Sequence, residues 1–269
     1  MNETIEVVKD LIHDCSEVEQ KALRAYFKSL FPHPLETAWG IDSDTILNAI
    51  GRSSDLTKRG VRGIIAEAVF ASDVIPSVKD IGWEVINIAG DLSYDAHLQR
   101  SGLSARVQIK LQRLERHKPK LYYPKFYDEK SLYVVEVQKT RSGQKTTKAP
   151  LPGSDEKLMA TKSVTTSTRP YKFGDFDILA VNMHPSSGDW KTFRYTLASS
   201  LLPRQKNPAL IEIFQPVAAQ PNEAWTDDLA TCLKWFEEGR KHLVFAELLH
   251  LTKFKLPSRS RKLTRHRSP

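Results

Sequence analysis

Asp95, Gln108, Lys110 and Glu67 are the residues whose types and spacing offer chemistry. Ser93-Tyr94-Asp95-Ala96-His97-Leu98-Gln99 and Ala105-Arg106-Val107-Gln108-Ile109-Lys110 flank Arg100-Ser101-Gly102, a pattern that predicts a β-hairpin. With Ser101-Gly102 as a two-residue turn, Asp95 falls opposite Gln108 and Ser93 opposite Lys110. Strand side chains alternate, so Asp95, Gln108 and Lys110 share one face. A carboxylate, an amide oxygen and an ammonium converging on one patch is what a Mg²⁺ site for phosphodiester hydrolysis requires. His97 lies on the Asp95 face opposite Arg106, either as a phosphate contact or as an ordinary surface histidine.

Glu67 comes from a different element. The segment Gly60 to Ala71 is apolar on nearly every side and reads as a buried helix. A carboxylate inside such a helix needs a partner, which is a metal, a lysine, or hydrogen-bond donors from neighbouring strands. A second constellation competes with the first: Glu136 and Gln138 share a face of the strand Leu132 to Gln138, with Asp128 as the upstream acid. Only eight residues separate Asp128 from Glu136 and no buried glutamate helix precedes them, so the first site is preferred. Glu136 and Gln138 are then a flanking strand near the metal or the DNA.

The elements that must position these groups form a mixed α/β pattern. Residues 1–58 read as a helical subdomain, with a helical stretch from Glu6 to Leu30 and a helix start at Ser43-Asp44 that Gly51 could end. The core, 59–217, holds the Glu67 helix, a strand Trp83 to Ile88, the hairpin, the strand Leu132 to Gln138, a strand Phe176 to Asn182 and a strand Phe193 to Leu197. Residues 141–170 read as a long polar surface loop. Residues 218–252 read as closing helices and 253–269 as a basic flexible tail.

Charge adds a partner. The net charge is +8. The tail carries Lys253, Lys255, Arg259, Arg261, Lys262, Arg265 and Arg267 with no acid, which suits either a phosphate-binding arm or a solubilising tail. Arg106, Lys110, Arg113, Arg116, Lys118, Lys120 and Lys125 face only Glu115 between residues 100 and 125. Because that cluster leaves the catalytic strand, a nucleic-acid partner is the better account of it. Cys15 and Cys232 have no metal-binding or disulfide spacing. No apolar run approaches the roughly 18 residues of a spanning helix, and Met1-Asn2-Glu3-Thr4 is unlike an export signal. A cytoplasmic protein is expected.

The order of Glu67 helix, strand, strand with Asp95 and strand with Gln108-Ile109-Lys110 resembles the PD-(D/E)XK nuclease superfamily, from Gly60 to roughly Val181. The resemblance implies a restriction-endonuclease-like core with a mixed central β-sheet flanked by helices. It implies one or two Mg²⁺ ions held by Asp95, Gln108 and Glu67, with Lys110 as the motif lysine and a 5′-phosphate product. Gln108 stands where most members have an acid, and Tyr94 where many have Pro. The Gln-x-Lys form is similar to a variant branch that includes an intron-encoded homing endonuclease. That branch tends to carry an Arg-Tyr pair ahead of an aspartate-bearing strand, to which Arg169-Pro170-Tyr171 before Asp175 and Asp177 is similar. The expectation is a Mg²⁺-dependent endonuclease, first a restriction-type enzyme on double-stranded DNA. A homing, repair or structure-specific nuclease is a second reading and a catalytically silent DNA-binding protein a third. Arg106, Arg113, Arg116, Lys118, Arg169 and Tyr171 are the expected DNA contacts. Cutting both strands of a palindrome adds the expectation of a homodimer.

Overall fold

A computed structural model describes residues 3–88, 90, 92–121, 132–138, 144–150, 159–165, 170–204 and 206–242. The chain divides into two compact units, Met1–Val61 and Arg62–Pro269.

The first unit is helical. Its helices are α1 (Glu3–Asp14), α2 (Glu17–Leu30), α3 (Pro34–Trp39) and α4 (Ser43–Arg52). The expected stretch from Glu6 to Leu30 is broken at Cys15-Ser16, because Ser16 and Glu19 cap each other's backbone N–H groups and start a new helix. The cap of α4 is Asp42 rather than Ser43, its carboxylate accepting Thr45 N–H at 2.9 Å. Gly51 does not end that helix, which runs on to Arg52.

Helix α5 (Asp55–Val69) carries Glu67. It is one-faced rather than buried all round: Ala66 is buried and the next turn buries Phe70, while Ile64 is 64% exposed and Ile65 37%. The expectation of an all-round buried helix fails at Ile64, which lies on the side opposite Ala66 and faces outward although it is apolar. A π turn at Phe70–Val74 leads into α6 (Ile75–Lys79).

The fold of the second unit is mixed α/β around a five-stranded sheet. Its strands are β1 (Glu84–Val85), β2 (Ala96–Arg100), β3 (Leu103–Leu111), β5 (Ile178–Asn182) and β6 (Phe193–Leu197), hydrogen-bonded in that order. In chain order, β4 (Leu132–Glu136) lies outside this sheet and pairs antiparallel with β7 (Phe214–Ala218). Only β3 and β5 run parallel; the other pairs of the central sheet are antiparallel.

The two faces of the sheet are covered differently. Ala105, Val107 and Ile109 of β3, with Ile178 and Ala180 of β5, pack with Ala66, Phe70 and Val78. Leu229, Cys232 and Leu233 of α7 (Leu229–Glu237) join the same cluster. On the opposite face Leu179 and Val181 pack with Tyr171, Phe176 and the β4–β7 pair. Because both faces are covered, β5 is buried at every position, which is why it reads in the sequence as an unbroken apolar run.

Three expectations need correction. Residues 144–150 and 159–165 form an antiparallel pair instead of a structureless loop, consistent with their β-branched threonines and Val164. The strand expected over Trp83 to Ile88 is reduced to Glu84–Val85 at the sheet edge. The closing helix begins only at Leu229, because Asn222 turns the chain by accepting Ala224 and Trp225 N–H and Asp228 then caps the helix. Residues 243–269, and with them the basic tail, lie outside the described residues.

One ion pair pins β5 beside β3. Asp177 accepts Arg106 Nε at 2.8 Å, Nη2 at 2.9 Å and the Arg106 backbone N–H at 2.9 Å, while its own N–H donates to Arg106 O at 2.8 Å. This bidentate contact is partly buried, so it is stronger than a surface pair. Asp177→Ala is expected to lower the unfolding free energy by about 2 kcal/mol. Urea denaturation checks this, and a loss within error of zero contradicts it.

Candidate active site

The hairpin turn carries the geometry. Ser101 and Gly102 have φ of 47° and 81°, the paired positive values of a type I′ turn. The pairing that follows is Ala96 with Val107, His97 with Arg106 and Leu98 with Ala105, so the register is the one the two-residue turn dictates. Just beyond the last paired residue, Asp95 N–H donates to Val107 O at 2.9 Å and carries the ladder one step further. Ser93 departs from the strand: its hydroxyl donates to Asp175 O at 2.8 Å rather than facing Lys110.

Asp95 is held from β3. Its Oδ2 accepts Ile109 N–H at 2.8 Å and the Gln108 side-chain amide, and stands 3.9 Å from Lys110 Nζ. Gln108 is buried, and its Oε1 accepts the Tyr171 hydroxyl at 2.9 Å. Tyr171 is itself 4% exposed and packs edge-on against Phe176, with ring centroids 5.3 Å apart. A buried chain thus runs from Tyr171 through Gln108 to Asp95. The Gln108 amide turns its NH₂ end, not its carbonyl oxygen, toward Asp95. The reason is electrostatic, since a carboxylate facing an amide takes the N–H end. The chain of contacts corrects the expectation for Tyr171, which lies in the core and is not a surface contact for DNA.

Glu67 joins the group through charge. Its carboxyl is half-buried, and loss of solvent pushes its pKa up; the nearby Asp95 adds to the rise and Lys110 opposes it. Lys110 is shifted down by burial against the pull of Asp95 and Glu67, which moves its ammonium toward the neutral form. The structure therefore brings Glu67, Asp95, Gln108 and Lys110 into one electrostatic neighbourhood.

Whether these groups suit a divalent cation is a question of donor chemistry. Among the described residues no group of three or more His, Cys, Asp or Glu side chains gathers in a metal-binding cluster. Two carboxylates whose mutual repulsion a cation would relieve fit Mg²⁺, which takes one or two carboxylates and keeps several waters. The third donor would be the Gln108 oxygen. The Tyr171 hydroxyl can donate to that oxygen or accept from the NH₂, so it satisfies the amide in either orientation.

The expected DNA contacts divide. Arg106 is taken up by Asp177, Arg113 is ion-paired with Glu136, and Lys120 meets Glu115 at 3.0 Å. Arg116 and Lys118 are exposed around a second tight turn, where Arg116 and His117 have φ of 50° and 63°. Arg169 lies outside the described residues, as do Lys125 and Asp128. In the competing constellation Glu136 is engaged by Arg113 and by the Gln138 amide, and β4 stands outside the central sheet. His97 is held by Ser104 Oγ at 2.6 Å and by the ring of Tyr94.

Sequence reasoning missed the part Tyr171 plays. The one signal for it was a tyrosine close ahead of the strand that begins after Asp177. Tyr171→Phe keeps the ring and removes the donor, leaving a buried amide oxygen short of a partner. It is expected to cost about 1–2 kcal/mol of stability. Thermal or urea unfolding checks this. Unchanged stability with weakened DNA binding would instead put the hydroxyl on the DNA.

No family model matches the sequence, and no curated protein does. Among solved structures, that of a bacterial homing endonuclease, I-Ssp6803I, matches at 17% identity over 61% of this chain and 79% of that one, with a TM-score of 0.30. No helix among the described residues is long and apolar enough to cross a membrane.

Proposed function

We propose that this chain is a Mg²⁺-dependent DNA endonuclease, of the restriction type and acting on double-stranded DNA. The observation that carries the reading is the hairpin register, which sets Asp95 and Gln108 against each other with Lys110 3.9 Å from the same carboxylate oxygen. Glu67 adds a second acid from α5 within electrostatic reach of both Asp95 and Lys110.

The protein groups have separable tasks. Asp95, its oxygen fixed by Ile109 N–H, and Glu67 would hold the cation, with Gln108 presenting its oxygen once the amide turns over. When bound, Mg²⁺ would supply Lewis-acid polarisation of a phosphoryl oxygen and a lowered pKa for the attacking water. Lys110 orients that water, and its burial-lowered pKa helps it take a proton; as the ammonium it offsets negative charge building on the phosphorus. Arg116 and Lys118, exposed on their turn, would be open to phosphates of the bound DNA.

A second reading, a DNA-binding protein that has lost catalysis, is favoured by one observation. Gln108 is bonded at both ends of its amide and supplies no third negative charge to the site. A homing, repair or structure-specific nuclease would share the first reading's chemistry and differ in its substrate.

The test is incubation of plasmid with the wild type and Lys110→Ala, with Mg²⁺ or with EDTA. Discrete fragments from the wild type with Mg²⁺ alone, and a loss of at least about a hundredfold in rate in Lys110→Ala, are expected. DNA binding without cutting in any condition would favour the silent binder, and a smear would favour a nuclease without site preference.

A further inference from the structure

We infer that the hairpin of residues 114–119 is a β-ribbon that enters the major groove of duplex DNA, with Arg116 at its tip reading the edge of a guanine. The inference deepens the proposed function and rests on its premise that the chain binds double-stranded DNA. It holds equally for a nuclease and for a catalytically silent binder.

The tip of this hairpin is strained. Leu114 pairs with Pro119 and Glu115 with Lys118, so Arg116 and His117 form a two-residue turn. Their φ values of 50° and 63° are the paired positive angles of a type I′ turn, which Asn-Gly adopts without strain and a long side chain disfavours. The turn at Ser101-Gly102 has glycine at the second of these positions. Arg116 and His117 instead keep full side chains there, and both stand exposed. Side chains retained in a sparsely populated backbone conformation mark a place where the side chains themselves are needed.

The strained tip stands on a rigid base. Beyond Lys110 the β3 ladder continues, since Gln112 N–H donates to Asn182 O at 2.9 Å, and Gln112 also bridges to Val135 of β4. Arg113 N–H donates to Val134 O at 2.8 Å, and Val134 N–H donates to Lys120 O at 3.1 Å, so both arms of the hairpin are tied to β4. Arg113 and Lys120 lie over the ring of Phe214, each 5.7 Å from its centroid. Sites built on hydrogen-bonded strands hold their side chains more closely than sites on loops, as discrimination between bases demands.

Charge and width select the partner. Arg116 and Lys118 are exposed cations with His117 between them, and the one acid of the hairpin, Glu115, is engaged by Lys120 at 3.0 Å. Paired strands lie about 4.8 Å apart, so with their side chains they fit the major groove of DNA, about 12 Å wide, and not the minor groove, about 6 Å wide. The deep, narrow major groove of an RNA duplex does not admit them. In the DNA groove an arginine takes guanine O6 and N7 together, while a lysine below the tip, here Lys118, meets phosphates on the groove wall. Arg116 is six residues beyond Lys110, at most about 20 Å of extended chain, which places the guanine within about one helical turn of the scissile bond.

The test reads binding, not cutting. The parent is the full chain carrying Lys110→Ala, on which bound duplex outlasts the incubation. The parent, and the parent with Arg116→Gly or Lys118→Ala added, each select duplexes from a random pool. Glycine takes a positive φ without strain, so the turn persists, and thermal unfolding at the parent's temperature shows that it does. The parent is expected to select a consensus that contains a G·C pair, within about one helical turn of the bond wherever the wild type cuts. Arg116→Gly should lose the preference at that pair alone, by about tenfold to a hundredfold. Replacing the guanine by 7-deazaguanine, which removes N7, should weaken the parent about tenfold and leave Arg116→Gly unaffected. Lys118→Ala should weaken binding to every duplex alike. A consensus that Arg116→Gly leaves unchanged, a loss spread evenly over all duplexes, or a parent that binds duplex without selecting a sequence overturns the inference alone. A parent that binds no duplex overturns the DNA reading and the inference with it.

Discussion

The hydrogen bond from Ile109 N–H to Asp95, set up by the two positive-φ residues at Ser101 and Gly102, is the constraint on which the rest of the site depends. A one-residue slip in the pairing of β2 with β3 would turn Gln108 and Lys110 to the other face, toward the helices. The turn forbids that slip locally, and the core forbids it globally, because Ala105, Val107 and Ile109 are already committed to the packing of α5, α6 and α7. Chemistry on one face is thus paid for by burial on the other.

That division of labour explains why polar groups survive in the middle of a sheet. Arg106, Gln108 and Lys110 alternate with buried apolar residues, and each is answered by a partner from a distant part of the chain. Asp177 answers Arg106, Tyr171 answers Gln108, and Asp95 with Glu67 answers Lys110. A buried polar group without an answer costs stability, so these contacts hold β3 to its surroundings, and the Asp177 contact fixes the start of β5 beside it.

The hairpin was legible in the sequence because its information is local: two turn residues and a strict alternation. The strand Phe193–Leu197 was legible for the same reason, and the strand ending at Asn182 because burial on both faces writes a continuous apolar run. What was not legible depends on contacts between residues far apart. Tyr171 lies 63 positions from Gln108, and Arg106 lies 71 from Asp177. Nothing near Gln108 says which end of its amide will face Asp95, or that the hydroxyl of Tyr171 will be its partner. The pairing of β4 with β7 instead of with the central sheet is likewise non-local, as is the engagement of Arg113 by Glu136. Helix α5 misled in the opposite way, because the run of apolar letters from Gly60 includes Ile64 and Ile65, which the fold leaves exposed.

The central claim is that Asp95 and its neighbours hold a divalent cation against a phosphodiester. It is tested most directly by titrating Mn²⁺, read by its electron paramagnetic resonance, into the wild type and Asp95→Asn, each with duplex DNA. Asparagine keeps an oxygen for Ile109 N–H and removes only the charge. The account predicts Mn²⁺ uptake by the wild-type complex beyond that of DNA alone, and its loss in Asp95→Asn. Equal uptake by the two proteins, or none above DNA alone in the wild type, would contradict it.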